Sequence, residues 1–139
     1  MPRAARPKNF FMKNPPPLYT VLVETVGWTL GRTADIPKSH RFTFGQRLDN
    51  LTLDALMLVV RAIFTSGMAR KDYLKELNLL LEQLRVLWRL VQEQRWISQA
   101  QLLFINARLD EAGRMAGGWL KQPGGPEPAA KQVHVERGA

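Results

Sequence analysis

Apolar side chains recur at three- and four-residue spacing along four stretches of this chain, the repeat that builds one face of an α-helix. The first stretch runs from Leu18 to Thr33 through Tyr19, Leu22, Val26, Thr29 and Leu30, with Val21 and Trp28 off the stripe. Pro37 interrupts it. Ser39 then offers a hydroxyl to cap a second helix, expected to reach Ser66 with Gly67 in the C-terminal capping position. Its first half is amphipathic through Phe44, Leu48 and Leu51, and its second half, from Leu53 to Phe64, is apolar nearly all round. A helix of that kind in a short bundle needs cover on two sides. Leu53, Leu56, Met57, Val60 and Phe64 are therefore expected to meet another subunit.

The third helix is expected over Arg70 to Gln94, with a seam of Tyr73, Leu77, Leu80, Leu84, Leu87 and Val91, widened by Leu74, Leu81 and Trp88. The fourth has the clearest start: Ser98 and Gln101 have capping-box spacing, and Ile97 and Leu102 that of a hydrophobic staple. It runs to Lys121 through Ile105, Leu109, Ala112, Ala116 and Trp119. Gly27 and Gly31 in the first helix, and Gly113 and Gly117 in the fourth, share a four-residue spacing. Each glycine costs about 1 kcal/mol against alanine inside a helix. In an up-down bundle the first and last helices are neighbours, so these glycines are expected to let the two backbones approach closely. No strand pattern competes. The fold expected is all-α: an antiparallel up-down four-helix bundle over residues 18–121. It lies between a basic, Pro-rich arm (1–17) and a Pro/Gly-rich tail (122–139), both expected to be disordered.

Composition narrows the function. The chain has no Cys, which excludes disulfides and thiolate metal sites. Arg61 interrupts the longest apolar run, so no membrane span or membrane partner is expected and a cytoplasmic protein is the default. The net charge is +8, which favours polyanions through counterion release. Arg3, Arg6, Lys8 and Lys13 carry part of it without an acid among them.

Catalytic chemistry has no support. The glycines of Gly113-Arg114-Met115-Ala116-Gly117-Gly118 close a helix and do not join a strand to one, so they are not a phosphate loop. His40 and His134 are the only histidines, and no set of metal ligands accompanies them. Glu111 between Arg108 and Arg114 reads as an ion pair. Neither an enzyme nor a cofactor is expected. Binding chemistry concentrates at 36–47. Lys38, Arg41 and Arg47 can present cations near a helix N-terminus, and His40 can donate to or stack on a base. The competing reading has Phe42 and Phe44 anchoring the corner while the cations stay wet. Arg85 and Arg89, one turn apart, are either a phosphate ladder or a solvated face paired with Glu82 and Glu93.

Three motifs together resemble the accessory variability determinant family, the four-helix-bundle partners of reverse transcriptases in diversity-generating retroelements. They are Ile36-Pro37-Lys38-Ser39-His40-Arg41-Phe42-Thr43-Phe44-Gly45-Gln46-Arg47 after a helix carrying Trp28, Leu84-Arg85 in the third helix, and Gly113-Arg114-Met115-Ala116-Gly117-Gly118-Trp119-Leu120-Lys121. The resemblance implies a ring-like homo-oligomer, a pentamer, with a basic surface. It implies binding to the reverse transcriptase, template RNA and cDNA in support of mutagenic retrohoming, with no catalytic residues. Nucleic-acid contact is carried over to Lys38, Arg41 and Arg47. Related bundles are encoded by insertions in large-subunit ribosomal RNA genes. A stand-alone RNA-binding bundle is therefore the second reading, and a purely structural oligomer the third.

Overall fold

The computed structural model describes residues 12–122. Most of the expected arm and tail lies outside them. The four helices are α1 (Pro17–Thr33), α2 (Gln46–Ile63), α3 (Gly67–Glu93) and α4 (Gln99–Lys121). Consecutive helices pack side by side, and α4 returns against α1. The described residues contain no strand. α1 begins one residue before its apolar pattern, because proline suits the first helical position, where its missing N–H costs nothing. Met12, assigned by sequence to the arm, is buried against the core.

α2 departs most from expectation. Ser39 makes no capping hydrogen bond. The chain instead forms a short 3₁₀ turn (Lys38–His40) and a π-helical turn (Arg41–Gly45) before α2 starts. α2 is then 18 residues long, about 27 Å. Gly67 does not close it. At φ 63° Gly67 takes a left-handed conformation that opens α3. The carbonyls at the end of α2 are satisfied by Arg70, which is 2% exposed. Its Nε donates to the Ala62 carbonyl at 2.8 Å and its Nη2 to that of Ile63 at 3.4 Å. Its guanidinium lies over the Trp119 ring, 5.4 Å from the centroid. Burial lowers the Arg70 pKa.

The seam of α3 is rotated from the expected one. Leu74, Leu77, Leu81, Leu84, Trp88 and Val91 are buried. Tyr73, Leu80 and Leu87 are half-buried at its rim. The α4 capping box forms as expected: the Gln101 amide donates to Ser98 Oγ at 3.0 Å, and the Ser98 amide to Gln101 Oε1 at 2.8 Å. Ile97 and Leu102 are both buried. Trp28 links three helices, meeting Trp88 edge-on at 5.1 Å and Phe104 at 5.7 Å.

The glycines do not bring α1 and α4 together. A Cβ added to Gly27, Gly31 or Gly117 would meet nothing within 4 Å. One on Gly113 would meet Arg85 and Leu81 of α3, not α1. The helices are joined there by side chains instead. Arg108 reaches Glu24 at 3.4 Å and Glu111 at 3.3 Å.

Nor is α2 apolar on every side. It buries one face through Leu48, Thr52, Ala55, Leu58, Val59, Ala62 and Ile63. Leu56 and Phe64 pack half-buried against the core, and Val60 is half-buried. Leu53 and Met57 are exposed beside Asp54 and Arg61. A further exposed apolar ridge, Leu79, Val86 and Leu90, runs along α3. The α3 periodicity conceals it among polar neighbours.

Candidate nucleic-acid interface

An up-down bundle puts the α1–α2 and α3–α4 connections at the same end. Here they are in contact. The ring of His40 stacks on Trp96 at 4.8 Å with planes 31° apart, and Phe44 meets the same indole edge-on at 5.4 Å. The anchoring role expected of both phenylalanines thus falls to Phe44 alone, and Phe42 stands 84% exposed.

The cations of this end differ in their ties. Arg41 staples the corner, its Nε donating to the Ile36 carbonyl at 3.0 Å and its Nη2 to that of Ala34 at 3.3 Å. A guanidinium has five N–H donors, so this leaves others outward. Lys38 and Arg47 are exposed and carry no ion pair with the described residues. The acids at this end are already engaged: Asp35 pairs with Arg32 at 3.6 Å, Asp49 accepts from Thr33 Oγ1 at 2.8 Å, and Glu93, closing α3, pairs with Arg89.

Arg95 joins this group, and sequence reasoning missed it. It sits in the α3–α4 turn beside Trp96, exposed and without an ion pair among the described residues. Its φ of 63° makes it the one left-handed non-glycine residue among them. The signal available was topological: once the bundle is read as up-down, residues 94–97 must lie at the end that holds 34–45.

Arg85 and Arg89 do not belong to the group. Arg85 is held by Glu82 and by Asp110, with Nη2 at 3.0 Å from the latter, and also donates to the Leu109 carbonyl at 3.3 Å. It is a cross-link between α3 and α4. Arg89 pairs with Glu93 at 3.6 Å one turn on, on an exposed face. Both arginines form the ion pairs that the solvated-face reading expects.

Residues 22–123, well over half of the chain, match the bAvd-like family. The chain belongs to the bAvd-like family. The match takes in the whole corner at 36–47 and the closing segment of α4, the same motifs that carry the resemblance read from the sequence. No curated protein and no solved structure matches the chain. Among the described residues, no group of three or more His, Cys, Asp or Glu side chains is placed to hold a metal ion. No helix among them is long and apolar enough to cross a membrane.

The chemistry available at this end is electrostatic. Lys38, Arg47 and Arg95 have no counter-ion among the described residues, so a phosphate backbone would meet them without displacing a carboxylate of that set and would release its own counterions.

Proposed function

We propose that this member of the bAvd-like family is a non-enzymatic, cytoplasmic accessory subunit of a diversity-generating retroelement reverse transcriptase. It holds template RNA and cDNA near the polymerase through the basic end of its bundle. Membership of the family, with the corner at 36–47 inside the matched region, is the observation that carries this reading. The cations Lys38, Arg47 and Arg95, which have no ion pair among the described residues, support it. The exposed apolar residues Leu53 and Met57, with half-buried Leu56, Val60 and Phe64, fit assembly into a homo-oligomer, the pentamer that the resemblance implies. A ring would repeat one modest phosphate site and raise its effective concentration for a long strand.

The test is cDNA synthesis by the cognate reverse transcriptase on its template RNA, with and without this protein. Long, template-dependent cDNA should form only in its presence, and the two proteins should co-purify. An enzyme that neither retains the protein nor changes its output would overturn the retroelement role.

A further inference from the structure

Phe42 is the most exposed large apolar side chain among the described residues, at 84%. Its position follows from the π-helical turn at Arg41–Gly45, which adds a residue to the turn. The turn seats Phe44 on Trp96 and leaves Phe42 projecting from the end of the bundle. It lines two grooves, the smaller of which also holds Arg41 and Asp49. The larger, about 570 Å³, is lined by Phe44, Gln46, Arg47, Asn50, Leu51 and Leu87. Among the described residues it therefore offers one cation without an ion pair, two side-chain amides and no carboxylate beside an exposed aromatic ring.

We propose that Phe42 is a stacking platform for an unpaired nucleobase, with Arg47 on the adjoining phosphate and the Asn50 amide within reach of the base edge. The inference rests on the reading that this end of the bundle binds nucleic acid, and it specifies the form: a single strand, not a duplex. In a duplex both faces of each base are covered by neighbours, so a projecting phenyl ring has nothing to stack on. A single strand exposes them, and aromatic–base stacking tolerates any base. An amide presents a donor and an acceptor together, which suits a base edge. A carboxylate of a protein partner would also pair with Arg47, but the two amides beside the exposed ring suit a base edge, and the test below separates the two.

The test uses the full chain with oligo(U), oligo(dT), a duplex of equal charge, and an oligo(U) analogue with abasic positions. Phe42→Ala should weaken binding to the single strands about tenfold and leave duplex binding and the salt slope unchanged. Phe42→Trp should restore the affinity. The abasic strand should bind the wild type as weakly as oligo(U) binds Phe42→Ala, with no further loss when the two are combined. Equal losses on oligo(U) and oligo(dT) assign stacking to either strand, and a loss on oligo(U) alone assigns it to RNA. Because Phe42 is almost fully exposed, its melting temperature should not change.

Wild-type affinity for Phe42→Ala, with binding lost in Lys38→Ala/Arg47→Ala/Arg95→Ala, would overturn the stacking role and leave the basic end standing. Unchanged oligonucleotide binding together with loss of the polymerase, or with altered sedimentation, would make Phe42 a protein contact and equally overturn it. A wild type that bound no oligonucleotide at all would remove both readings.

Discussion

The imidazole of His40 lies on the indole of Trp96, ring centroids 4.8 Å apart. This contact joins residues 56 positions apart in sequence and ties the α1–α2 corner to the α3–α4 turn. Phe44 meets the same indole edge-on at 5.4 Å. Each aromatic pair contributes roughly 0.5–1.5 kcal/mol beyond its buried area. Trp96→Ala should therefore lower stability by about 1–3 kcal/mol and weaken RNA binding several-fold, because the corner loses its support. The salt slope should stay as it was, since no cation is removed. Trp96→Phe should recover most of both losses. Denaturant melts and salt-titrated RNA binding on the two variants check this, and unchanged RNA affinity in a folded Trp96→Ala would contradict it.

Arg70 caps the carboxyl end of α2 from inside the core. Its Nε and Nη2 donate to carbonyls that α2 cannot satisfy itself. Arg70→Met keeps the length and removes the donors, and should cost about 2–3 kcal/mol. Denaturant unfolding reads it. A loss below about 0.5 kcal/mol, the scale of ordinary surface changes, would show that water takes over the cap.

Arg85 should prove structural and not a nucleic-acid contact. Its side chain is about a quarter exposed and is shared between Glu82 and Asp110. Solvent screening limits such pairs, so Arg85→Ala should cost about 1 kcal/mol. It should leave RNA affinity within about twofold, a change of roughly 0.4 kcal/mol. A thermal melt and an RNA titration on this variant decide the matter, and a large loss of affinity without a loss of stability would restore the binding role.

Gly27 and Gly31 face open space on α1. Alanine at each should raise stability by about 0.5–1 kcal/mol, because a helix interior favours it over glycine. A lower melting temperature for Gly27→Ala would mean that something covers this face in solution, and a second copy of the chain would then be the first candidate.

Much of the architecture was legible because it is local. The capping box at Ser98 and Gln101 depends on residues three apart, and the helical faces repeat every turn. What escaped was set by contacts distant in sequence. Nothing near Arg70 signals that it will cap the preceding helix, and nothing in Phe42-Thr43-Phe44 says which ring turns inward until Trp96 is in place. The π-helical turn left no signature of its own, so Ser39 looked like a cap. The glycine pairs misled because equal spacing on two helices does not fix which way each face points. Of the candidate site, Lys38 and Arg47 were readable as cations near a helix start. Arg95 needed the bundle's topology before it could join them.

The most direct test of the basic end is the salt dependence of single-stranded RNA binding, compared between wild type and Lys38→Ala/Arg47→Ala/Arg95→Ala. Each lost phosphate contact on a single strand flattens the plot of log affinity against log salt by about 0.7. If all three cations meet phosphate, the variant's slope should be shallower by about 2, with helical content and melting temperature unchanged. A variant with the wild-type slope and affinity would contradict the account, and the bundle's nucleic-acid surface would have to lie elsewhere.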